Sequence, residues 1–86
     1  MKRETFNKIN DRFMSNVCEI FGVPYDTFRK SEKTRVTITA AQHADLLSVM
    51  SETERMRSMF NTKIRRINPN WCEDIINKYF DLDIAA

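Results

Sequence analysis

Val36-Thr37-Ile38-Thr39-Ala40-Ala41-Gln42 holds two competing signals in seven residues. Four β-branched residues favour an extended backbone, because two heavy atoms on Cβ suit a pleated strand better than a helical turn. Thr39-Ala40-Ala41-Gln42 then has the form of a capping box, with Thr39 as N-cap and Gln42 reaching back from the third helical position. Four extended residues need a partner strand to form a sheet, and no second β-rich run stands out. The expectation is therefore an all-α domain, a small bundle of four or five helices over residues 1–86.

Upstream, Phe6, Ile9, Phe13, Val17 and Ile20 recur at spacings of three and four, which predicts an amphipathic helix from about Glu4 to Phe21. Gly22 supplies a left-handed stop, and Pro24 prevents continuation. Asp26 caps one short turn through Phe28. From Arg29 to Arg35 there is no apolar residue, so this part reads as a solvated loop.

Downstream of the capping box, Ala44, Leu47 and Met50 mark one face of a second helix, with Leu46 alongside. Ser51-Glu52-Thr53-Glu54 repeats the box, leaving open whether residues 40–67 form one helix or two. Pro69 ends that region and opens a last helix to about Phe80, with Leu82 and Ile84 docked or frayed beyond it. The expected core comprises Phe13, Val17, Leu47, Phe60, Trp71 and Ile75, with Trp71 against the first helix. The methionines read as core filler.

Composition narrows the function classes. Of the 86 residues, 42% are hydrophobic and 30% charged, which suits a globular domain and not a disordered chain. No membrane-length apolar run or secretory leader is present, so the expected compartment is the cytoplasm, with Cys18 and Cys72 as reduced thiols. One glycine excludes a Gly-rich phosphate loop. His43 has no neighbouring nucleophile motif and reads as a surface or interface residue. A metal site would have to gather Cys18, His43 and Cys72 from separate helices without a recognisable spacing. The expectation is no enzyme activity, no cofactor and no metal.

Charge is uneven. Net charge is +2, yet Arg29–Arg66 carries nine bases against four acids, while Glu73–Asp83 is acidic. Two basic groups stand out as candidates for phosphate contact: Arg29, Lys30, Lys33 and Arg35 before the capped helix, and Lys63, Arg65 and Arg66 near the end of the next helical region. The free amides at the start of the capped helix would add to the first group. Solvated charge is the plainer reading of both.

Val17-Cys18-Glu19-Ile20-Phe21-Gly22-Val23-Pro24-Tyr25-Asp26-Thr27-Phe28-Arg29-Lys30-Ser31-Glu32-Lys33-Thr34-Arg35, followed by Ala41-Gln42-His43-Ala44, resembles the first half of the C-terminal DNA-binding domain of the bacterial replication initiator DnaA. The resemblance implies a Trp-repressor-like helical fold, with Lys30, Lys33 and Arg35 in a basic loop that touches the DNA backbone and minor groove. Gln42 and Ala44 match the opening of the family's second helix, and Ala41 replaces its Arg. Phe60-Asn61-Thr62-Lys63-Ile64-Arg65-Arg66 does not reproduce the family's base-reading motif. The combined expectation is a regulatory or accessory protein that binds nucleic acid, DNA above RNA, as a monomer or homodimer. The alternatives are a protein-interaction module, such as a small inhibitor or adaptor from a phage or mobile element, and a small subunit of a larger assembly.

Overall fold

The computed structural model describes residues 2–60 and 70–85. Helix α1 (Lys2–Phe21) leads through a 3₁₀ turn (Tyr25–Arg29) into strand β1 (Thr34–Ile38). Helix α2 (Ala40–Phe60), helix α3 (Trp71–Tyr79) and strand β2 (Phe80–Ile84) follow. The all-α expectation is overturned: β1 and β2 form a two-stranded parallel sheet, in the register Thr34↔Phe80, Val36↔Leu82 and Ile38↔Ile84. The β-branched run has a partner after all. Phe80-Asp81-Leu82-Asp83-Ile84 alternates apolar and acidic residues with the period of a strand, and Leu82 and Ile84 both belong to it. Parallel pairing needs a long crossover, which here passes through α2 and α3. The fold is small and mixed α/β, so it departs from the helical bundle and from a Trp-repressor-like domain.

Local signals near the chain's punctuation behave as expected. Gly22 adopts φ +68°, and the Val23 N–H donates to the Cys18 carbonyl at 3.1 Å, the long-range bond of a Schellman cap. At the start of α2 the Gln42 N–H donates to Thr39 Oγ1 at 3.1 Å, while the Thr39 N–H donates to Gln42 Oε1 at 2.8 Å. The capping box is complete. The Gln42 side chain also donates from Nε2 to the Ile20 carbonyl at 2.9 Å, satisfying an acceptor that the end of α1 leaves over. Ser51 starts no new helix, because α2 continues unbroken through Phe60.

The core lies between α1, α2, α3 and the inner face of the sheet, where Phe13, Val17, Ile38, Leu46, Cys72 and Phe80 are buried. Phe80 is a hub: its ring meets Phe21 at 4.8 Å and Phe28 at 5.7 Å, both edge-on. Trp71 packs against Phe13 of α1 at 5.5 Å, and Ile75 is partly buried beside it. Two core expectations fail. Leu47 is 52% exposed and Phe60 43%, while Leu46, one residue earlier, is 2% exposed.

Candidate functional site

The 3₁₀ turn is pinned by buried Phe28 and by the Thr27 N–H donating to the Pro24 carbonyl at 3.0 Å, which leaves Arg29 and Lys30 in solvent. Arg29 lies 3.8 Å from Asp26, and Arg35 on β1 lies 3.8 Å from Asp83 on β2, all four side chains well exposed. Such exposed pairs contribute little to stability, but each places an acid beside a base. Asp81 is the register partner of Arg35, and Glu32 sits in the same loop. Four acids thus stand among the four bases. Lys30 and Lys33 are exposed and make no ion pair among the described residues. Lys63, Arg65 and Arg66 lie outside the described residues.

The loop and the start of α2 are separated by β1, whose five residues span about 13 Å at roughly 3.3 Å per residue. The N-terminus of α2 also spends its Gln42 amide on Thr39. The expected single grip, loop plus free helix amides, is therefore split between opposite ends of a strand.

The strand itself presents a different kind of surface. In a parallel ladder the N–H and C=O of one residue both face the same neighbour, and successive residues alternate sides. The Ala85 N–H donates to the Ile38 carbonyl at 2.8 Å, so Ile38, Val36 and Thr34 bond towards β2. It follows that the backbone N–H and C=O of Arg35 and Thr37 face away from β2. Both residues are exposed, and among the described residues no backbone hydrogen bond reaches them from that side. On the far edge Phe80 donates its N–H to the Ile76 carbonyl, and Leu82 and Ile84 face outward.

Arg57, one of the nine bases of Arg29–Arg66, is 3% exposed. Its guanidinium lies over the rings of both Phe6, 4.6 Å from the centroid, and Trp71. Nε pairs with Glu54 Oε1 at 3.2 Å, and Nη1 donates to Asn10 Oδ1. Glu54 Oε2 accepts the Cys72 N–H at 3.5 Å, which places a carboxylate at the start of α3 where Asn70 gives no side-chain cap. Burial lowers the Arg57 pKa, and Glu54 opposes that shift. The signal was present in spacing alone: Leu46, Met50, Thr53 and Arg57 fall on one helical stripe. This cluster joins α1, α2 and α3.

Chemistry elsewhere is sparse. Cys18 and Cys72 are both buried and free, and burial raises both thiol pKa values, that of Cys72 to about 12, so both stay protonated and unreactive at neutral pH. His43 is partly buried in the first turn of α2. Among the described residues no group of three or more His, Cys, Asp or Glu side chains is placed to hold a metal ion. An open groove of about 310 Å³ runs between α1 and α2, floored by Ile9, Phe13 and Met56 and rimmed by Lys8, Arg12 and Glu52. No described helix is long and apolar enough to cross a membrane. No protein-family model, curated protein or solved structure matches the chain.

Proposed function

We propose that this chain is a non-enzymatic protein-interaction module that receives an extended segment of a partner along the outer edge of β1. The observation that carries this reading is the outward-facing backbone of Arg35 and Thr37 on a sheet that has two strands among the described residues. An open edge is a row of donors and acceptors at strand spacing, and adding a strand to it is a recurrent mode of peptide recognition.

The test uses proline. Thr37→Pro removes a donor that points away from β2, a position that tolerates proline, so the cooperative melt should persist. Val36→Pro removes a ladder donor and a buried side chain, so it should disrupt the sheet. Extended peptides titrated into ¹⁵N-labelled protein should shift the Arg35 and Thr37 amides, and Thr37→Pro should abolish their binding. Peptide binding that is unchanged in folded Thr37→Pro would refute the reading.

A second reading, phosphate contact with nucleic acid, is favoured by Lys30 and Lys33, which are exposed and carry no acidic partner among the described residues. In that reading Arg29, Lys30, Lys33 and Arg35 form one contact group and Lys63, Arg65 and Arg66 a second. Each lost contact to duplex DNA lowers the slope of log K against log salt by about 0.9, so replacing Lys30, Lys33 and Arg35 with Ala should flatten it by roughly 2 to 3. Absence of binding to any duplex or single strand at about 50 mM salt would dismiss it.

A further inference from the structure

We infer that the segment taken up by β1 is acidic, with Asp or Glu at alternate positions and apolar residues between them; this rests on the reading of β1 as an interaction edge. The strand that already pairs with β1 is the first argument. Phe80-Asp81-Leu82-Asp83-Ile84 places Phe80 and Leu82 on the inner face beside Thr34 and Val36, and Asp81 and Asp83 on the outer face beside Arg35 and Thr37. Its alternation fits the surface β1 offers. A strand on the other side of β1 meets the same alternation: its inner residues flank Val36 and Ile38, and its outer residues flank Arg35 and Thr37.

Charge gives the second argument. Strands lie about 4.8 Å apart, so an incoming outer side chain stands as close to Arg35 as Asp81 and Asp83 do from the opposite side. Lys30 and Lys33 precede β1, where they meet the end of such a segment, and neither is engaged by an acid among the described residues. An acidic segment makes the outer face read acid, base, acid across three strands. A basic one sets like charges side by side, which is unfavourable in cross-strand pairs. The outer edge of β2, flanked by Asp81 and Asp83, rejects the same acidic segment, which leaves β1 as its one compatible edge.

Two capped peptides of alternating Val and Asp or alternating Val and Lys provide the probes, with binding read by the Arg35 and Thr37 amide shifts at low and moderate salt. The Asp peptide should bind about tenfold more tightly at low salt, with the gap shrinking as salt rises. Arg35→Gln, which removes the charge without adding a like one beside Asp81 and Asp83, should narrow the gap to about twofold. Lys33→Glu, outside the strand and neutral to the fold, should reverse part of it. Equal affinity for the two peptides would overturn the inference while leaving the interaction edge standing. Binding of neither peptide would overturn both. Self-association of the free protein that Thr37→Pro abolishes would overturn the assignment to a partner, making the occupant the β2 segment of a second copy.

Discussion

The guanidinium of Arg57 lies 4.2 Å from the centre of the Trp71 ring. Arg57 belongs to α2 and Trp71 to the first turn of α3, so the contact fixes how the two helices meet, and Phe6, 4.6 Å from the same guanidinium, brings in α1. A flat, weakly hydrated cation is suited to this position in a way that an ammonium is not. The cluster therefore helps orient α3, and with it the strand β2 that follows immediately and completes the sheet.

The Arg57–Glu54 pair is asymmetric, and its variants should reflect that. Arg57 has a 3% exposed side chain and Glu54 a 20% exposed one. Glu54→Ala leaves a guanidinium with little access to water, and its cost should be about 3 kcal/mol or more. Arg57→Met keeps an unbranched side chain against the two rings and leaves a carboxylate that can rehydrate, so it should cost less than about 2 kcal/mol. Urea denaturation of both variants checks the order. The opposite ranking would mean that the ring contacts, and not the charge pair, dominate.

Thr27 should respond in the other direction. It is 1% exposed, and its hydroxyl has no hydrogen-bond partner among the described residues. An unsatisfied buried hydroxyl costs roughly 1–3 kcal/mol, and valine replaces it with a methyl group of nearly the same shape. Thr27→Val should raise the denaturation midpoint by the equivalent of about 1 kcal/mol. A loss of stability would show that the hydroxyl is satisfied in solution, for example by water.

Leu46 and Leu47 form a matched pair with opposite expected behaviour. Leu46→Ala should cost about 2–5 kcal/mol, because Leu46 is 2% exposed in the core, whereas Leu47→Ala should stay within about 0.5 kcal/mol of the parent protein. Similar losses in the two variants would place the buried stripe of α2 elsewhere.

The same pair marks what the sequence makes legible. Signals that act within one turn were readable: the stripe Phe6, Ile9, Phe13 and Val17, the left-handed stop at Gly22, and the Thr39–Gln42 box. Each rests on neighbours a few residues apart. Leu46 and Leu47 differ by only 100° around the helix, and α2 carries apolar residues on several sides, so periodicity could not choose between them. Val36 and Leu82 are register partners from distant parts of the chain, and five-residue strands carry too little pattern to announce each other. The burial of Arg57 was not legible from residue type, because arginine is almost never fully buried unless paired, and its partners Asn10, Glu54 and Trp71 come from three helices. As for the candidate site, the basic loop was visible, but the β1 edge depends on ladder register, which no single segment contains.

Cys72 makes stability depend on pH in the alkaline range. Burial, with Glu54 adding and Arg57 opposing, pushes its thiol from 9.0 up to about 12. A group whose pKa is higher in the folded state binds its proton more tightly there, so its contribution is complete below the unfolded value and is lost as pH rises towards the folded one. Stability should therefore hold to about pH 8.5 and then decline towards about pH 12. Cys18, raised by burial, acts in the same sense, as does Tyr25, raised by burial and by Asp11 and Cys18. Urea midpoints measured from about pH 7 to about pH 11 should fall over the upper part of that range, and Cys72→Val should fall less steeply than the parent. Iodoacetamide at neutral pH should leave both thiols unmodified in the folded protein and alkylate them in urea. A level alkaline profile, or Cys72→Val tracking the parent throughout, would show that the Cys72 thiol ionises as readily in the folded chain as in the unfolded one.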